Sequence, residues 1–429
     1  RLSGRRYRAR LFRLGMFFAA IIGIVFYVWD EIENDLVPLP TTRIEVVTGS
    51  NSWGLSGGNL QHSVSNPNDV PLDGEILWSY KNSEGFNSSP VVSDGIVYQA
   101  TLDAKVLALN ASDGEILWEY KASGPVDATP ALTLDALYIG FRDGTFVALN
   151  REDGSVLWDY QYPAVISASP IVYRGITYVG MGDGVLVALD AHTGEKLWSF
   201  RAGREGGKKE GHQGEWIIDS PVVNDNIMAI ASLNGSIHFI DIRTGLRRLK
   251  FDAVDPITSN IAFVDDRLVL TTQLGQVIVL DSTKLDYPPE ERLRILRKQW
   301  FAWGFQSMPP IPKGYIWGVN RSVKFSSPAV IDDRVYVLAD DGWLHGLDLE
   351  TGASVWNYNA GASSRNGAPI VLGSKVLFGT DDGNVHAVER HSGTGEVIFT
   401  LSGPINEAPV IAEGKMYVAT GDGVLYSIR

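Results

Sequence analysis

The 429-residue sequence predicts an all-β fold, an eight-bladed β-propeller of four-stranded antiparallel blades, with one N-terminal transmembrane helix ahead of it. Three observations carry this reading. A tryptophan recurs every forty residues in near-identical frames, a proline step recurs before short apolar strands, and one charge-free run near the start follows a cluster of arginines.

The N-terminal end divides into three stretches. Residues 1–13 hold six arginines and no acid, the composition of a cytoplasmic tail. Residues 14–29 read LGMFFAAIIGIVFYVW, without a charge. Counted back to Leu11, with Arg13 snorkelling to the headgroups, the span suits a hydrocarbon core of about 30 Å. Tyr27 and Trp29 stand where interfacial aromatics gather, and Asp30, Glu31, Glu33 and Asp35 follow. Arginines before the run and acids after it place the body outside a cytoplasmic (inner) membrane, on the periplasmic side. No small-x-small site follows, so the run reads as an uncleaved single-pass anchor rather than a signal peptide. Residues 30–72 are rich in Asn, Ser, Gly and Pro with little periodicity and read as a linker, within which Trp53 is the candidate for a fixed contact.

Residues 73–429 carry the repeat. DGEILWSYK at 73, DGEILWEYK at 113, DGSVLWDYQ at 153 and TGEKLWSFR at 193 align without gaps and put Trp78, Trp118, Trp158 and Trp198 forty residues apart. A second series sets a small residue and proline before an apolar strand, at Pro90, Pro130, Pro170, Pro221, Pro328, Pro369 and Pro409, with SNIAF near Ile261 in the same frame. A third, from KVLALN to VLYSIR, ends each unit. Strand, Asp-Gly-type turn, strand, turn, strand, turn, strand over about forty residues is the pattern of a propeller blade. Eight sets of inner strands can be counted, yet the last lacks an outer strand and residues 73–81 supply an outer strand with nothing before it. DGEILWSYK is therefore expected to close the eighth blade and tie the two ends of the ring together.

Composition excludes several functions. With no cysteine, disulfides, thiol nucleophiles, Cys-ligated metals and lipid attachment at a cysteine are all absent. The net charge is −13, and the body apart from the arginine tail carries −19, which repels phosphate backbones and argues against nucleic-acid binding. No metalloprotease, nucleophile-elbow or phosphate-loop motif is present. His238, His345 and His386 hold equivalent places in three different blades, too far apart for one metal, and read as packing residues.

The stretch from Ala188 to Trp198, ALDAHTGEKLW, resembles the A-x-D-x-x-x-G-x-x-x-W docking motif of the PQQ-repeat (BamB-like) propellers. GLDLETGASVW ending at Trp356 and ALNASDGEILW ending at Trp118 keep the frame, whereas Leu249 and Phe399 stand where tryptophan is expected, and Trp300 falls in a longer segment. The resemblance implies that Trp78, Trp118, Trp158, Trp198 and Trp356 are structural, docked between blades. It also implies one of two functions: a quinone-dependent dehydrogenase or a non-catalytic assembly subunit. The family's enzymes stack the quinone on a disulfide of adjacent cysteines, a device this chain lacks, so the expectation is no enzyme, no cofactor and no metal.

Two insertions interrupt the period, at 201–216 and 285–325. Both are read as loops between an outer strand and the next inner strand, hence on one face of the ring, where insertions often mark the binding surface. The second either offers Trp303, Phe305, Met308, Ile311, Tyr315 and Trp317 as partner-binding residues, the types enriched at protein interfaces, or folds over the channel mouth and buries its own aromatics. The expected function is a protein-interaction or scaffold subunit whose partners are other membrane or envelope proteins. A small-ligand or PQQ-binding redox propeller is the alternative.

Overall fold

The computed structural model describes residues 44–48, 52–66, 72–202, 220–253, 255–257, 259–285, 288–305, 313–365 and 367–429, with single residues at 40, 70 and 217. The expected anchor, 14–29, lies outside them. No helix among the described residues is long and apolar enough to cross a membrane.

Eight antiparallel sheets follow one another along the chain. The first blade comprises Val91–Ser93, Ile96–Thr101, Lys105–Asn110 and Ile116–Lys121. The second to seventh repeat the order, and the eighth takes Val410–Ala412, Lys415–Ala419 and Val424–Ile428 from the C-terminal end. Its outer strand is Ile76–Lys81, with Trp78 opposite Ser427 and Lys81 opposite Val424. That closure extends past the strand, since Asp73, Gly74 and Glu75 all donate backbone N–H bonds to the Arg429 carbonyl. Strands two and three of each blade are almost wholly apolar and buried, because stacked blades cover both faces of every sheet.

The first strands of blades four to seven touch in succession, as do those of blades eight and one, and first strands line the axial channel of a propeller. Each runs from its proline step to a tight turn. The proline face of the ring therefore carries the connections from outer strand to next inner strand. The opposite face, here called the dock face, carries the turns between third and fourth strands.

Those turns receive the tryptophans. An added Cβ on Gly114, Gly154, Gly194, Gly245, Gly352 or Gly393 would lie 2.6–2.7 Å from the indole ring of the preceding blade's tryptophan. The same glycines have φ between 70° and 76°, so turn geometry and ring contact both demand glycine. The indole N–H of Trp78, Trp118 and Trp158 donates across the seam to the carbonyls of Ala111, Arg151 and Ala191, each at 3.0 Å. Trp356 does so to Arg390 at 2.8 Å.

Three features depart from the sequence reading. The docking residue of blade five is Trp317, on Tyr315–Asn320, with its indole N–H 2.8 Å from the Leu349 carbonyl; Trp300 lies elsewhere. The second insertion does not join an outer strand to the next inner strand. It sits between the third and fourth strands of blade five, Gln276–Asp281 and Tyr315–Asn320, and so leaves from the dock face. The first insertion follows the outer strand of blade three, Lys196–Arg201, which ends at the proline face; its residues 203–216 lie outside the described residues. Finally, residues 44–48 and 52–66 of the stretch read as a linker are built into the ring.

Candidate functional site

In a propeller the axis and the departures from the repeat are where function concentrates. Here the axis is occupied by the chain itself. Residues 44–48 and 52–66 lie across the first strands, whose channel-facing edges would otherwise leave backbone groups unpaired. Trp53 exchanges two backbone bonds of 2.8 Å with Val92 of blade one, and Gly54 accepts from Leu132 of blade two at 2.8 Å. The carbonyl of Ile44 accepts from Gly175 of blade three, Leu60 from Val223 of blade four and Gln61 from Phe263 of blade five, each at 2.8 Å. Ser63 and Val64 accept from Val330 and Val371, and Ser65–Asn66 adds a parallel fifth strand to blade seven. Seven of the eight blades are thus tied to one segment.

The plug is packed as well as bonded. Leu55 is fully buried, and Trp53, Val64 and His62 nearly so. The Trp53 ring rests on Gly58, whose φ of 79° and close contact admit no side chain. The Asn59 carboxamide oxygen accepts the N–H groups of Gln61 and Ser63, both at 3.1 Å, and holds the turn. Val64 is held at φ 51°, a strained value for a β-branched residue. The His62 imidazole nitrogens have no hydrogen-bond partner among the described residues, and burial lowers the ring's pKa to about 4, which keeps it neutral.

The other departure is at the seam between blades four and five. Blade four carries Leu249 in place of the docking tryptophan, and blade five has lost the glycine turn that would receive one. In its place stands the only α-helix among the described residues, α1 (Pro288–Ala302). Its sequence explains it: Pro288 and Pro289 open the first turn, Glu290 and Glu291 follow at the positive end of the helix dipole, and no glycine interrupts before its end. The helix packs on the outer strand of blade four, Arg247–Asp252, with Arg294 buried near Asp252. Lys298 lines a cavity of about 320 Å³ with Asp252, Gln276, Tyr315 and Asn320. Because Asp252 and Asn320 end their strands at the proline face, α1 runs down the outer wall of the ring.

The predicted partner-binding residues therefore separate. Trp303 and Phe305, just past α1, are 66% and 79% exposed, their rings edge-to-face at 6.5 Å. Tyr315 is in the outer strand of blade five, partly exposed, and Trp317 is 8% exposed in its dock. Met308 and Ile311 lie outside the described residues. Sequence reasoning missed Leu293, Leu296 and Trp300, which are 60%, 48% and 51% exposed on α1.

The histidines form no common site. His386 stacks on Phe378 at 5.0 Å and shares a 3.1 Å hydrogen bond with the Tyr358 hydroxyl. His345 shares one of 2.6 Å with Asn357. His238 is buried against Phe200, and burial first, then Lys250 and Arg247, lowers its pKa to about 3. Among the described residues no group of three or more His, Asp or Glu side chains is placed to hold a metal.

Residues 65–284, 314–395 and 373–429 match the family of the outer membrane protein assembly factor BamB. The chain belongs to that family. The break in the match, 285–313, contains α1, so the helix is an addition to the family repeat. BamB of Burkholderia pseudomallei is 33% identical over 107 residues, 24% of this chain and 28% of that protein. BamB of Pseudomonas aeruginosa is 24% identical over 226 residues, 49% of this chain and 51% of that protein. The chain thus matches about half or less of these relatives' length. Among solved structures, BamB from Moraxella catarrhalis superposes with a TM-score of 0.63 at 17% identity, covering 82% of this chain and 96% of the other. The quinohemoprotein alcohol dehydrogenase from Comamonas testosteroni gives 0.67 at 18%, covering 88% and 80%. At these identities the likeness concerns the fold.

Proposed function

We propose that this BamB-family propeller is a non-catalytic interaction subunit, held at the cytoplasmic membrane by residues 14–29, with its ring on the periplasmic side. The observation that carries the reading is the plugged axis. A ligand on the propeller axis would compete with a segment bonded to seven blades and packed by Trp53, Leu55 and Val64. That weighs against the quinone-dependent redox alternative, for which only the shared fold speaks. The surface left for function is the outer wall, where α1 replaces a standard blade seam. The names of the relatives point to assembly of outer-membrane proteins; the apolar run at 14–29 favours a role in a complex of the inner membrane or envelope.

Gentle detergent extraction of the full chain, with mass spectrometry of what co-purifies, tests this. Stoichiometric membrane or envelope proteins support the interaction role. A solitary chain carrying a quinone-like chromophore overturns it.

A further inference from the structure

Helix α1 is amphipathic in the inverse sense for a helix on a protein surface. Leu293, Leu296 and Trp300 recur at i, i+3 and i+7, one stripe of the helix. All three are about half exposed or more, while the charged Arg294 faces the ring and is 5% exposed. Phe301 in the last turn, and Trp303 and Phe305 just past the helix, are further exposed apolar rings. A contiguous apolar stripe directed away from its own protein marks a surface that meets another protein or a membrane.

Charge says which medium. From Arg292 to Lys324 the chain has seven cations and no acid, in a protein of net charge −13. Arg297 is exposed beside the stripe, whereas Lys298 lies on the side of the helix that borders the ring cavity. Trp, Phe and Leu on one side with Lys and Arg alongside is the composition of helices that lie in the headgroup–acyl boundary of anionic bilayers. We infer that α1 and the turn to Phe305 form a second membrane contact: they seat the outer wall of blades four and five on an anionic lipid surface and orient the ring there. This deepens the proposed function, on whose membrane location it rests.

The seam supports the assignment. Every other blade-four-type seam places a large ring on a turn glycine, Phe399 on Gly74 included, whereas here Leu249 and the lost turn accompany the outward helix. The fold has given up a standard lock at the position where the lipid-facing element is attached.

The absence of cysteine permits a direct test on the full chain. Trp303→Cys, labelled with an environment-sensitive fluorophore, is reconstituted into vesicles of phosphatidylcholine with and without phosphatidylglycerol, some carrying doxyl-labelled acyl chains. Glu84→Cys, exposed and on the far side of the ring, is the reference. The expected result is a blue-shifted emission at 303 with quenching by doxyl lipid several-fold above that at 84. Omitting phosphatidylglycerol, or adding Arg297→Glu, reduces it towards the reference. Water-like emission at 303, quenched no more than at 84, overturns the inference. Shielding of 303 from aqueous iodide by a co-purified protein, without lipid quenching, also overturns it and leaves the interaction role standing. Lipid quenching in a chain that extracts alone keeps the lipid contact and removes the interaction role instead.

Discussion

At the scale of single residues, the indoles of Trp78, Trp118, Trp158, Trp317 and Trp356 dock by two separable means, ring burial and one N–H bond. Trp118→Ala removes both and is expected to cost about 3–5 kcal/mol, read as a lowered denaturation midpoint. The N–H share can be isolated by comparing seams. Trp118 bonds to the Arg151 carbonyl, whereas the Trp198 indole nitrogen finds no partner among the described residues. Trp118→Phe should therefore cost about 1 kcal/mol more than Trp198→Phe; equal losses would show that the bond contributes nothing. Burial of His62 sets a second expectation. Its folded pKa of about 4 lies below the ordinary 6.5, so above pH 6.5 both states are neutral and no stability depends on it. As pH falls through the window from 6.5 to 4, the unfolded chain takes up a proton that the folded chain refuses. Stability then declines by about 1.4 kcal/mol per pH unit from this group. The slope of unfolding free energy against pH between 6.5 and 4.5 should be shallower in His62→Asn, and an unchanged slope would show that His62 is not buried neutral.

At the scale of elements, the blades were legible because their signals are side-chain signals. Trp78, Trp118, Trp158 and Trp198 repeat at fixed spacing, and the prolines mark each inner strand. The plug was not, because residues 44–48 and 52–66 hold the channel mainly through backbone bonds that impose no side-chain period. Blade five was misassigned for a different reason: α1 separates its third and fourth strands and offers Trp300 as a decoy. The signal that identifies Trp317 is its distance of eleven residues to Pro328, close to the twelve between Trp118 and Pro130. Excision of residues 286–312 tests this partition. The Asp281 N–H bonds to the Gly314 carbonyl at 2.7 Å, so the cut ends already meet. The ring is expected to fold with a midpoint within about 1 kcal/mol of the parent while losing its exposed aromatic surface. Failure to fold would make α1 part of the seal between blades four and five.

At the scale of the whole molecule, the chain closes its ring twice. Ile76–Lys81 joins the C-terminal blade at the rim, and residues 44–66 tie seven blades together at the axis. Chains beginning at residue 40 and at residue 72 share the rim closure and differ in the plug. Burial of Trp53, Leu55 and Val64 puts the stability difference between them on the order of 5 kcal/mol, measurable by chemical denaturation. The same comparison separates the two functional classes, since opening the axis would create the cavity that a quinone-binding propeller needs. The most direct measurement is amide hydrogen exchange on the intact chain. Slow exchange at Trp53, and at the inner-strand amides of Val92, Val223 and Phe263 that bond to the plug, is predicted to match that of the blade cores. Exchange of residues 44–66 within seconds, with the channel free to take up PQQ, would contradict the account.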